Sequence, residues 1–151
     1  MGMIFPYRQM RAIAPVIALG GRLTRPKPII TATLIGPMGT HVDGCLVDDA
    51  ADDTVFPDWV AAKIGIDLSN APIGAATGIS LAHAPIRYAR AVFRISAQAE
   101  RREWEAWVGF TSARMRWPLL GFAGFLQFLT ATFDGEGEKL ELAVNGLYPG
   151  T

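Results

Sequence analysis

The stretch Cys45-Leu46-Val47-Asp48-Asp49-Ala50-Ala51-Asp52-Asp53-Thr54-Val55-Phe56-Pro57 decides the reading of this chain, because an apolar strand runs directly into four carboxylates. An ionised carboxylate taken out of water without a partner is costly, so an acid at the end of a buried strand generally has a purpose. Asp48, the first acid after the strand, is therefore the foremost candidate for chemistry. The alternative is a solvated acidic turn that joins a strand to a helix.

Working outward, residues 28–35 form a β-branched, partly alternating run, and Gly36-Pro37-Met38-Gly39-Thr40 turns the chain back into residues 41–48. This predicts a β-hairpin that feeds the acidic loop. On the other side, Pro57 to Ile64 carries proline where a helix's first turn tolerates it, and Gly65 follows where a helix C-terminus wants glycine. A short helix is expected there. Residues 71–83 are small and glycine-containing around Gly74-Ala75-Ala76-Thr77-Gly78, which predicts a hairpin tip able to act as a flap. Strands are expected at 86–96 and 103–111, joined by a charged turn over 98–102, with Arg87, Arg90 and Arg94 near solvent edges. Trp117-Pro118-Leu119-Leu120-Gly121 reads as a short buried strand, residues 124–129 as a compact apolar helix, and 130–134 with 139–144 as a closing hairpin. Residues 1–26 mix prolines and glycines with short apolar pieces and read as an extended N-terminal arm with one edge strand. Residues 27–151 then form one domain. Many short strands with few helices predict a mostly β fold, a barrel or closed sandwich.

Composition narrows the function classes. Half of the 151 residues are hydrophobic, and 14 basic residues cancel 14 acidic ones. That balance lacks the footprint of a nucleic-acid binder or a polybasic membrane-surface protein, so neither nucleic acid nor membrane is expected as a partner. The single Cys45 cannot form an internal disulfide and suits a small buried core position, which points to a reducing, cytoplasmic location. Residues 12–19, following Arg8 and Arg11, faintly resemble a signal peptide, but Pro15 interrupts them and Gly20-Gly21-Arg22 is a poor cleavage site. His41, His83 and Cys45 are too few and too scattered for a zinc pattern, and no serine sits in a nucleophile elbow. What remains is acid chemistry: two carboxylates held close share one proton, so one serves as general base and the other as general acid.

Taken together, these residues resemble the retropepsin-like aspartic proteases, the retroviral type and its bacterial relatives. The family pattern is an apolar strand followed by Asp-Thr/Ser-Gly-Ala, commonly then Asp-Asp-Thr-Val, with a later glycine-rich flap and two apolar residues plus glycine before a short helix. Leu46-Val47-Asp48 matches the strand and acid, Ala51-Asp52-Asp53-Thr54-Val55 the flanking residues, residues 74–78 the flap, and Leu119-Leu120-Gly121 the later element. The resemblance implies a closed β-barrel with one or two short helices that works as a homodimer. Each subunit would contribute Asp48 as catalytic acid at the two-fold axis. The loop Asp49, Ala50, Ala51, Asp52 and Asp53 would support it, and a peptide or protein substrate would lie extended beneath the flaps. No metal or cofactor is implied.

Three positions depart from the family pattern: Asp49 replaces the threonine or serine, Ala50 the glycine, and Phe122 the arginine that normally pairs with the acid matching Asp52. An ionised Asp49 can only accept hydrogen bonds, Ala50 is costly if the backbone there needs a glycine-only angle, and Asp52 is expected to lack its ion partner. Two functions follow: an aspartic endopeptidase, or a catalytically inactive relative that binds peptides or serves as a dimerisation module. For residues 142–151 the resemblance raises a further alternative, a sheet shared between subunits such as the chain ends form in retroviral members.

Overall fold

The computed structural model describes residues 2–75 and 84–151. Among the described residues the fold is mostly β, with a closed six-stranded barrel and one short α-helix. β1 (Met3–Pro6), β2 (Arg8–Val16) and β3 (Arg22–Lys27) precede the first barrel strands, β4 (Ile29–Gly36) and β5 (Gly39–Val47). After the acidic loop come β6 (Val55–Pro57), α1 (Asp58–Ile64), β7 (Ile73–Ala75), β8 (Pro85–Ala97) and β9 (Glu100–Thr111). The chain ends with β10 (Leu119–Leu120), β11 (Leu129–Asp134) and β12 (Lys139–Val144).

The barrel runs β4-β5-β10-β6-β9-β8 and closes where β8 pairs back onto β4 through Thr33–Arg94, Leu34–Phe93 and Ile35–Val92. Closure removes the free edges that an open sheet would present. Alternation sends Ile30, Ala32 and Leu34 of β4, and Cys45 and Val47 of β5, into the interior. The centre is aromatic: the Phe93 ring stacks on Trp104 at 5.6 Å, and both pack against Phe125 at 6.0 and 5.5 Å. The Trp104 indole N–H is satisfied inside this core by donating to the Gly124 carbonyl at 3.0 Å.

The expected hairpin of β4 and β5 is present, as are the strands of β8 and β9 and the closing hairpin of β11 and β12. Helix α1 begins after Pro57 and ends at Gly65, whose φ of 83° is the left-handed angle that glycine adopts without strain. Two expectations are corrected. Residues 124–129 hold only a three-residue 3₁₀ turn, Leu126–Phe128, because Gly124 has a φ of 90° and Phe125 leaves helical geometry to put its ring in the core. The turn between β8 and β9 is tighter than residues 98–102, since pairing runs out to Ala97–Glu100 with Gln98 at a φ of 54°.

The structure divides residues 2–27 in two. Met3 and Phe5 of β1 are buried in the core, and β1 joins a second sheet in the order β1-β12-β11. The hairpin β2-β3 forms a two-stranded sheet of its own. β12 is flanked on both sides by strands of the same chain, and the last residue folds back to exchange hydrogen bonds with Glu103. The C-terminal strand therefore already spends both its edges within the chain.

Candidate active site

Asp48 is the first residue beyond β5, at the end of the barrel where β5, β10 and β6 meet. β10 lies between the other two, parallel to β5 through Leu119–Leu46 and Leu120–Val47 and antiparallel to β6 through Leu119–Val55. The Asp48 N–H donates to the Leu120 carbonyl at 3.1 Å, so the strand register reaches as far as the acid. Its Oδ1 accepts from the Ala50 N–H at 3.0 Å, and its carbonyl accepts from the Ala51 N–H at 3.2 Å. These bonds close a tight Asx-type turn that fixes the carboxylate direction. Asp48 is half-buried, whereas Asp49 and Ala50 at the crest of the turn are exposed.

The rest of the loop is braced from below. Phe122 and Ala123 donate their N–H groups to the Ala51 and Asp52 carbonyls, both at 2.9 Å, and Thr54 N–H donates to the Ala123 carbonyl at 3.2 Å. The buried Thr54 hydroxyl accepts from the Gly121 N–H at 3.3 Å. Glycine is required at 121 by close approach, since an added Cβ would stand 2.7 Å from the Ala51 oxygen and overlap the Asp53 carbonyl. Leu119-Leu120-Gly121 thus serves as the support on which the acidic loop rests.

Two of the feared departures have structural answers. Ala50 lies outside the positive-φ region, so alanine carries no backbone strain there. Asp52, expected to lack a partner because Phe122 replaces arginine, is not without one. Phe122 itself is 59% exposed beside the loop, leaving an aromatic face next to the carboxylates.

Of the flap, Gly74 and Ala75 lie in β7, paired antiparallel to β8 as Gly74–Ile86 and Ala75–Pro85; Ala76, Thr77, Gly78 and His83 lie outside the described residues. β8, which pairs with β7, is coupled to the acidic loop by a residue that the sequence pattern does not single out. The Tyr88 hydroxyl donates to Asp53 Oδ2 at 2.9 Å. Gly74 makes room for this, because a Cβ there would meet the Tyr88 ring at 2.6 Å. The only signal in the sequence is a tyrosine in β8. Burial first, then the hydrogen bond and charge of Asp53, push the Tyr88 phenol up to about 12. The fold thus favours the neutral phenol: that stabilisation is complete below the ordinary tyrosine value of about 10 and is lost as pH rises through about 12. Ultraviolet phenolate titration should show a late transition that Tyr88→Phe removes. A last transition near the ordinary value in the wild type would contradict the bond.

Other groups are less suited to chemistry. The Cys45 thiol is fully buried and pushed far up by desolvation, which keeps it a protonated core residue. His41 is buried, with Nε2 3.1 Å from Asp43 Oδ2 and Nδ1 accepting from the Lys63 ammonium at 3.0 Å. Because an ammonium only donates, this fixes the tautomer with the proton on Nε2. A groove of about 750 Å³ between α1 and β8 is lined by Trp59, Leu68, Arg87 and Phe110, and does not touch Asp48. Among the described residues no helix is long and apolar enough to cross a membrane. No protein-family model and no curated protein matches the chain.

Proposed function

We propose that this chain is an aspartic-type endopeptidase that acts as a homodimer, with Asp48 of each copy forming a carboxylate pair across the two-fold axis. The observation that carries this reading is the placement of Asp48. It is a half-buried carboxylate at a barrel end, aimed by the Ala50 N–H and tied through Leu120 to the core. A single Asp48 can take a proton from water and give it back, but it leaves no second, protonated carboxyl to hydrogen-bond the carbonyl oxygen while the water attacks. Two of them close together share one proton, because both cannot ionise at once. The ionised member takes a proton from water, which attacks the peptide carbonyl, and the protonated member hydrogen-bonds the carbonyl oxygen and later supplies the leaving nitrogen.

The Tyr88–Asp53 bond gives the flap stem a fixed relation to this loop, so an extended peptide held under the flap would lie in register with the carboxylates. The groove bounded by Trp59, Leu68 and Arg87 lies beside that path and suits a substrate side chain. The retropepsin-like type of barrel belongs to this same proposal. Cleavage should be favoured in acid, since the shared proton is lost as pH rises.

The exposed Asp49 favours a second reading. Two copies at the axis would bring four carboxylates together, which opposes a productive dyad and suits an inactive peptide-binding or dimerisation module. Peptide-library digestion separates the two. The endopeptidase reading expects wild-type protein to cleave. Peptide binding without cleavage, together with cleavage gained when Asp49→Thr, Ala50→Gly and Phe122→Arg are combined, would establish the second.

A further inference from the structure

The hairpin β2-β3 is built unlike the rest of the molecule. Ile13, Ile17 and Leu23 are 108, 93 and 65% exposed, and Val16 is the only apolar residue between positions 8 and 27 that is buried. Pairing is regular from Arg8–Lys27 to Arg11–Thr24 and resumes at Val16–Arg22, so Ala12-Ile13-Ala14-Pro15 bulges away from its partner strand. A lone two-stranded hairpin is marginal in water, and one that displays isoleucines is more so. It is nevertheless anchored at both ends, since Arg22 pairs with Val16 beside the turn and Arg8 lies at the base. Arg22 and Gln9 both bind the Glu138 carboxylate, and Arg8 donates to the Thr31 hydroxyl at 2.8 Å. The hairpin is thus fixed at both ends, while Ile13, Ile17 and Leu23 stay uncovered.

Charge says what covers it. Arg8, Arg11, Arg22, Arg25 and Lys27 make this segment purely basic, with no acid among residues 8–27. Since the whole chain is neutral, the remainder carries the opposite excess, and it is concentrated: Asp43, Asp48, Asp49, Asp52, Asp53 and Asp58 occur with no lysine or arginine between them. The concave side of the hairpin forms a groove of about 590 Å³ lined by Ile13, Ile17, Arg11, Arg25, Lys27 and Arg116. The acidic loop offers the matching shape chemistry, exposed carboxylates beside the exposed Phe122 ring.

Position makes the match reciprocal. Pro28, which follows β3, accepts from the Val47 N–H at 2.9 Å, one residue before Asp48. The hairpin therefore leaves the barrel at the same end as the acidic loop, and a two-fold axis near Asp48 brings each hairpin toward the other copy's loop. The C-terminal strand β12 offers no free edge to a partner, being paired by β1 and β11. A segment of about 20 residues from each copy is also the scale of a standard interface.

We propose that the β2-β3 hairpin is a dimerisation arm, whose basic and apolar groove receives the acidic loop and Phe122 of a second copy of this chain. The inference rests on the homodimer of the proposed function, and not on its hydrolytic step.

The test is sedimentation equilibrium of the full chain combined with site-directed cross-linking. Ile13→Asp with Ile17→Asp changes two side chains that pack against nothing in the single chain, so circular dichroism should be unchanged while self-association weakens by at least about tenfold. Ile17→Cys carrying a benzophenone maleimide should cross-link, in mixtures of ¹⁵N-labelled and unlabelled protein, to the partner's 48–58 or 122 region; Cys45 is buried and stays unlabelled. Equal dimerisation by the double variant, cross-links to another surface, or a monomeric wild type that binds phosphatidylserine vesicles would each overturn the arm. A dimer that forms through the arm yet cleaves no peptide would defeat the hydrolytic reading alone.

Discussion

If Asp48 is the shared acid and base proposed above, Asp48→Asn should lower peptide cleavage by about 10²–10⁴-fold while leaving folding and dimerisation intact, because it would remove acid–base chemistry from both halves of the site at once. The amide keeps the carbonyl oxygen that accepts the Ala50 N–H at 3.0 Å, so the loop retains its geometry. It has no proton to share and no charge with which to activate water. The change should fall on kcat rather than KM, since in the proposed mechanism the acid would meet the reacting carbonyl and not the flanking substrate residues. Steady-state cleavage of a peptide selected from a library measures this directly. Cleavage that survives Asp48→Asn would remove Asp48 from the chemistry.

Gly121→Ala should destabilise the protein by about 2–3 kcal/mol, toward the upper end of what overpacking of a core position costs. The reason is geometric. The new methyl group would overlap the Asp53 carbonyl and stand 2.7 Å from the Ala51 oxygen, and neither backbone atom can rotate away. Relief requires the acidic loop to lift off its support, which also weakens the Gly121 to Thr54 hydrogen bond. Urea unfolding would report the loss, expected as a lower midpoint with unchanged slope. Thermal unfolding should fall by about 4–12 °C for a chain of this size. A variant as stable as the wild type would mean that the loop does not rest on Gly121 as described.

The parts of the fold that were legible in the sequence are those where local pattern and tertiary environment agree. Alternation in 28–35 and 41–48 fixes the inward faces of β4 and β5, and Pro57 with Gly65 brackets α1 because those two residues act on the backbone directly. The position of Asp48 directly after β5 was legible for a similar reason: a strand that ends in a carboxylate is a local anomaly. The misread elements are those in which distant contacts override local preference. Leu126–Phe128 carries a helical pattern, yet the place kept for the Phe125 ring beside Phe93 and Trp104 limits it to one 3₁₀ turn.

Tyr88 was missed because its role comes from cross-strand placement. Nothing near it in sequence announces a partner 35 residues away in Asp53, and it is the glycine at 74 that lets the ring approach. The hairpin of β2 and β3 was hidden by a sum. Whole-chain neutrality conceals a wholly basic segment and a wholly acidic one, and the structure sets both at the same end of the barrel. Net charge excludes partners only when charge is spread evenly.

The most direct test of the carboxylate pair is to add an equal amount of Asp48→Asn chain to a fixed amount of wild-type protein and follow cleavage of a library-selected peptide under acidic conditions that saturate dimerisation. If each site needs Asp48 from both copies, about half of the wild-type chains are drawn into inactive mixed dimers and the rate falls to about half. A rate that does not change on mixing, or the absence of any cleavage by wild-type dimer, would contradict a catalytic site shared across the two-fold axis.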